Sequence, residues 1–185
     1  MKYCVVDLET MGTGGNTAIV AIGACMVTPD GRAGVSGQFY RAVTLESSLA
    51  AGLKVTAGTI NWWLAQSDAA RNALIAEDAV PLTSALNDFA AFYRLQGAEA
   101  LVGNDPSFDN AILADAYTAT GLRQPWKYHA NKCLRTFRGL VADTDCINNE
   151  PVFVGTEHNA LCDAVYEADV LHTILVYLKG KGLTV

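Results

Sequence analysis

The stretch that most constrains this chain is Lys2 to Glu9, KYCVVDLE. Side chains on a strand alternate between faces, so Tyr3 and Val5 share one face and Cys4, Val6 and Leu8 share the other. Both faces are apolar, which marks a central strand covered on both sides. The C-terminal end then carries Asp7 and Glu9, two residues apart and on the same face. Carboxylates that close repel, and each favours the protonated form of the other. Two readings fit. Either a cation, most simply a divalent metal, lies between them, or the strand runs out into solvent and the two acids are hydrated.

The rest of the chain suits such a strand. With 185 residues and 51% hydrophobic content, it is expected to form one folded domain over residues 1–185. No apolar run reaches ~18 residues, so no membrane-spanning helix is expected. The N-terminus enters a strand directly and lacks the plan of a secretory leader. The five cysteines are odd in number and none are in C-x-x-C spacing, which predicts free thiols in a reducing cytoplasm, not disulfides or a zinc site. A net charge of −6 argues against a general binder of polyanions. A nucleic-acid substrate would need bound metal and a local basic patch to hold it.

Thr17 to Val27 is uninterrupted and apolar, a second buried strand. The MGTGGN turn before it lacks GK[ST] and leads into a strand, so it is no phosphate-cradling loop. Pro29 to Arg32 reads as a hairpin turn, and Gln38 to Val43 as a third, antiparallel strand. Helices follow: one capped by Thr59, one from Asp68 to Ala76 capped by Ser67, and one begun by Pro81 and ended by Gly97. Ala100 to Gly103 is a short buried strand. Ser107 is expected to cap a helix reaching Thr120. A strand near Lys132 to Leu134, a helix through Phe137 and Leu140, a loop from Ala142 to Glu157 and a helix from Asn159 to Leu178 complete the chain. This order predicts an α/β fold, a mixed five-stranded sheet flanked by helices on both faces.

Asp109 lies three and four residues before Ile112 and Leu113, along the same helical stripe. An acid in a first turn gains from the helix dipole, but one with that role alone could face water. Asp109 faces inward, at the C-terminal end of the Ala100–Gly103 strand. His158 and Asp163 are five residues apart, about 140° around a continuous helix. They converge more easily with His158 in the loop just ahead. Sites in open sheets form where strands end and helices begin. Four acids there suit two divalent ions, about 3.5–4 Å apart, that orient a water and stabilise the leaving oxygen of a phosphodiester. Hard oxygen ligands select Mg²⁺ or Mn²⁺. His158 is a credible base for that water, since imidazole titrates near neutral pH. A two-carboxylate sugar hydrolase would leave Asp109 and Asp163 without a role. A catalytically dead nucleic-acid-binding module predicts a lost acid, and none is lost.

The run VVDLETMGT resembles the first motif of the DEDD, or DnaQ-like, 3′–5′ exonucleases. VGNDPSFDNAIL resembles the second, and His158 to Asp163 the third in its histidine-bearing DEDDh form. Asn159 stands where the tyrosine subclass carries Tyr. Thr59-Ile60-Asn61-Trp62-Trp63 with Gln66, then Pro125-Trp126 and Arg135-Thr136, resembles a bacterial and phage exoribonuclease-like branch related to the nuclease part of exonuclease VIII. The resemblance implies a ribonuclease-H-like fold and two Mg²⁺ or Mn²⁺ ions. Asp7, Glu9 and Asp163 would be metal ligands, Asp109 would serve the second metal partly through water, and His158 would be the general base. It implies release of nucleoside 5′-monophosphates from the 3′ end of single-stranded nucleic acid, with RNA slightly favoured. A DNA exonuclease of proofreading, repair or phage recombination is the alternative. By the same resemblance, Leu8, Thr10 and Met11 line the pocket of the terminal nucleotide. Phe108 is expected to press on a base. Trp63 is expected in the core by its spacing from Ile60, which leaves Trp62 or Gln66 to reach the substrate.

One feature is independent of the resemblance. From Ala116 to Ala142 there is no acid, while Arg123, Lys127, Lys132, Arg135 and Arg138 interleave with Trp126, Tyr128 and Phe137. Part of this stretch is expected to meet the phosphate backbone, or else to form a solvated basic face. His129 and His172 are read as structural. The sequence leaves the choice between monomer and homodimer open.

Overall fold

The alternation of Lys2–Glu9 becomes β1 (Tyr3–Thr10), an inner strand of one mixed sheet. The structure is a computed structural model and describes residues 1–32 and 37–183. β1 pairs antiparallel with β2 (Ile19–Thr28) and parallel with β5 (Ala100–Gly103). β5 in turn pairs parallel with β6 (Asn131–Cys133). On the outer edge of β2 lies β4 (Gln38–Ala42), antiparallel. The turn after Pro29 contributes a two-residue strand, β3 (Gly31–Arg32), to that same edge. Apart from this short addition the five expected strands form the sheet.

Helices cover both faces, which explains why β1 is apolar on both. On one face α4 (Leu82–Leu95) and α5 (Asp109–Ala119) pack Leu86, Phe89, Ile112 and Leu113 in one core with Cys4, Val6 and Leu8. On the other, α6 (Leu134–Leu140) and α7 (Ala160–Gly180) bring Leu134, Phe137, Leu171 and Leu175 into a core with Tyr3 and Val5. Each such side chain removed from water contributes roughly 1.5–3 kcal/mol. No described helix is long and apolar enough to cross a membrane. None of the five cysteines is in a disulfide.

Three local expectations are corrected. A short helix, α1 (Leu45–Ala50), was not legible. It has no apolar stripe, and its one buried residue is Ser48, whose hydroxyl donates to the Ile19 carbonyl at 2.8 Å. α2 (Ala57–Leu64) starts before Thr59; Thr56 holds the N-cap position, and the two hydroxyls bond each other. α5 starts at Asp109 with Phe108 in the N-cap position, because Ser107 turns instead to Asp105, donating from both its amide and its hydroxyl. Ser67 does cap α3 (Asp68–Ala73), and Asn159 caps α7 by accepting from the amides of Leu161 and Cys162.

Two glycines decide how near the helices come to the sheet. Gly23 pairs with Asp7 across β1 and β2. A Cβ there would lie 2.1 Å from the Ala160 backbone. A Cβ at Gly103 would lie 2.5 Å from Asn110 Oδ1 and 3.1 Å from Asp109 Cβ. The first turns of α7 and α5 therefore rest directly on β2 and β5, at the end of the sheet where β1 carries its acids.

Candidate active site

β1 presents Asp7 and Glu9 together on the α7 side, and the first turn of α7 adds Asp163. One carboxylate oxygen from each of the three lies within 4.8 Å of the others. Asp109 arrives from α5. It is 3% exposed, and its Oδ1 accepts the Leu8 amide at 3.3 Å. His158 occupies the turn before α7 with φ 61°, a left-handed conformation that residues other than glycine seldom adopt. Leaving the helix in this way, the imidazole lines the same cleft as Asp163.

The acids disturb one another. Burial holds Asp7 well above the usual carboxylate range, helped by Asp109, Glu167, Glu9 and Asp163. Burial pushes Glu9 up to about 8, with Asp163 and Asp109 adding to it. Asp109 rises to about 7 through burial, opposed by the Leu8 amide. Asp163 is raised by burial and drawn down by His158. Glu9 Oε1 is buried without a hydrogen-bond partner among the described residues, as is Glu167 Oε2. Orphaned carboxylate oxygens in a self-repelling, all-oxygen cluster are what a hard divalent cation relieves, so the residues fit such an ion.

The cleft measures about 820 Å³ and holds most of the expected residues. Leu8, Thr10, Trp62 and Phe108 line it along with Asp7, Glu9, His158 and Asp163, whereas Asp109 is not part of its lining. Trp62 is 44% exposed and meets His158 edge to face at 4.8 Å between ring centroids. Trp63 is buried, and its indole N–H donates to the Thr10 carbonyl at 2.9 Å. Three expected substrate contacts lie elsewhere. Met11 packs against the core. Gln66 folds back to donate to the Trp62 carbonyl at 3.0 Å. Arg135 is ion-paired with Asp105 at 3.2 Å.

The basic stretch is similarly diverted. Arg138 pairs with Glu150 at 2.7 Å, and Tyr117, Trp126 and Phe137 are core residues, so of its four Phe, Trp and Tyr side chains only Tyr128 is exposed. His129 is exposed and His172 half-buried on α7; neither lines the cleft. Sequence reasoning missed Glu167, Asn104, Phe153 and Tyr166, all in the cleft lining. For Glu167 a signal existed: it is an acid one turn after Asp163, within the stripe of Ala164, Ala168 and Leu171. Phe153 stands in an irregular segment and had none.

Comparison with known proteins agrees with this geometry. No curated protein is significantly similar in sequence. Among solved structures, the nuclease domain of 3′hExo, a DEDDh family member bound to rAMP, aligns with a TM-score of 0.63 at 12% identity, covering 98% of this chain and 92% of that one. Exonuclease X in complex with 5′ overhanging duplex DNA gives 0.60 at 17%, covering 98% and 94%. Cell-death related nuclease 4 gives 0.62 at 13%; 98% of this chain is covered, and it spans 64% of that nuclease. These likenesses show the ribonuclease-H-like fold. Residues 2–175 match the 3′-5′ exoribonuclease Rv2179c-like domain, so the chain belongs to that family and is a 3′–5′ exonuclease.

Proposed function

We propose that this exonuclease removes nucleotides from the 3′ end of single-stranded nucleic acid, RNA ahead of DNA, and releases nucleoside 5′-monophosphates. The observation that carries the reading is the meeting of Asp7, Glu9 and Asp163 oxygens within 4.8 Å, in the cleft that His158 also lines. Asp7, Glu9 and Asp163 would hold one Mg²⁺ or Mn²⁺, and Asp7 with Asp109 a second. Bound there, such ions would supply Lewis acidity toward the scissile phosphate and the attacking water. His158 takes the proton of the attacking water as general base. Leu8 and Thr10 form the floor under the terminal nucleotide, while Trp62, Phe108 and Phe153 offer ring faces to an unpaired base. The family's exoribonuclease description supports RNA. The duplex DNA bound by Exonuclease X keeps DNA as the second reading. Five cysteines with no disulfide among them support a reducing, cytoplasmic setting.

The test uses 3′- and 5′-labelled RNA and DNA oligomers with Mg²⁺, Mn²⁺ or EDTA, resolved at nucleotide length. A 5′-labelled strand should shorten stepwise from its 3′ end and be spared in EDTA. Asp7→Asn should abolish turnover with the fold intact. Internal cuts, or undiminished activity in EDTA, would refute the reading.

A further inference from the structure

Glu167 is a buried acid that the scheme above leaves without a task. It follows Asp163 by one turn of α7 and lines the same cleft. It is 8% exposed, and its Oε2 has no hydrogen-bond partner among the described residues. Its stripe neighbours Ala164, Ala168 and Leu171 are fully buried core, so an apolar residue would serve packing better than a carboxylate. Arg138 and Arg135 of α6 act on Glu167 from a distance and draw it down, but the ion pairs they make are with Glu150 and Asp105. Yet the charge of Glu167 bears on the centre: among the acids that raise Asp7 it ranks after Asp109 and ahead of Glu9. A buried polar group kept without a partner calls for a ligand.

The donor set shows where that ligand belongs. Asp7, Glu9 and Asp163 converge on one position. Asp109 already commits Oδ1 to the Leu8 amide. A second cation beside Asp7 would thus be short of donors. We propose that Glu167 is a fifth carboxylate of the constellation, holding a divalent cation beside Asp7 without touching the substrate. The proposal rests on the cation-dependent reading of the cleft. It makes Glu167 a positioning residue, whose effect appears in metal binding before it appears in chemistry.

The test is calorimetric titration of MnCl₂ into the full chain, comparing wild type with Glu167→Gln and Glu167→Asp, with no nucleic acid present. Glu167→Gln should weaken the weaker Mn²⁺ site by about 10–100-fold, the range seen when groups supporting a metal are removed. The tighter site should persist. Glu167→Asp, which keeps the charge but shortens its reach, should fall between Gln and wild type. In EDTA, Glu167→Gln should unfold at the same temperature as wild type or higher, because a repelling charge is gone. Unchanged Mn²⁺ affinities in both folded variants would overturn the proposal. So would a Glu167→Gln chain that cannot fold without metal, since the carboxylate would then be structural. Asp7→Asn separates the two levels: if it too leaves Mn²⁺ binding intact, the cation reading itself fails, whereas loss there alone rejects only the role of Glu167.

Discussion

The two walls of the cleft are built differently. The acid wall stands on β1 and the start of α7, elements locked into the core by Tyr3, Val5 and Leu171, with α7 seated over Gly23. The aromatic wall stands on α2 and the segment before α7. α2 buries one residue, Trp63, and is held to β1 through its indole. Phe153 rests on Tyr166 at 5.5 Å between centroids. Bond making needs groups fixed to fractions of an ångström, so its residues are mounted on the most constrained backbone. Gripping a flexible strand needs surfaces that adapt, and these sit on the periphery. His158 joins the two: it leaves the acid wall through a left-handed turn and packs on Trp62.

Removing that junction should have the largest effect. His158→Ala is expected to lower kcat by roughly 10²–10⁴-fold with KM little changed, measured on a short oligomer in Mn²⁺. A variant as active as wild type would dissociate the histidine from the chemistry.

The mounting of the acid wall comes next. Gly23→Ala would push Ala160 off the sheet and carry Asp163 with it, costing roughly 1–3 kcal/mol or more of stability by overpacking. Thermal unfolding and Mn²⁺ affinity should fall together. A fall in stability alone would mean that the seat of α7 does not set the position of the acids.

The acid wall should also give the protein an inverted pH response without metal. Glu9 and Glu167, whose ordinary value is 4.5, are each lifted to about 8. The folded chain then retains protons that the unfolded chain has released. The resulting stability is full below the ordinary value and is lost as pH rises through about 8. Melting temperature in EDTA should therefore drop between those limits. Added Mn²⁺ should offset the drop, increasingly so at higher pH, because binding must displace the same protons. A pH-independent melting profile in EDTA would count against crowded acids.

On the aromatic wall, Trp62→Ala should weaken oligomer binding by about 1–3 kcal/mol, read as KM. Since the ring also supports His158, kcat should fall too, and Trp62→Phe should recover most of it. Smallest of all, Gln66→Ala should leave kinetics almost untouched, because its side chain serves only the Trp62 carbonyl among described residues.

The central strand, the helices on both faces and the acids at the strand's end were legible in the residue pattern alone. Those features are written in periods of two and 3.6 residues, which are local and survive in any context. The motif spacing around Asp109 and His158 was legible for the same reason. Tertiary structure decided the rest. Arg135 and Arg138 lie in the stretch expected either to meet phosphate or to form a solvated basic face, and the fold pairs them with Asp105 and Glu150. Met11 read as a pocket residue until the core took it. Glu167 drew no reading from the sequence, and the fold buried it in the cleft lining. A side chain's face follows from neighbours along the chain, but its partner and its share of solvent follow from residues far away in sequence, and only the folded chain brings those together.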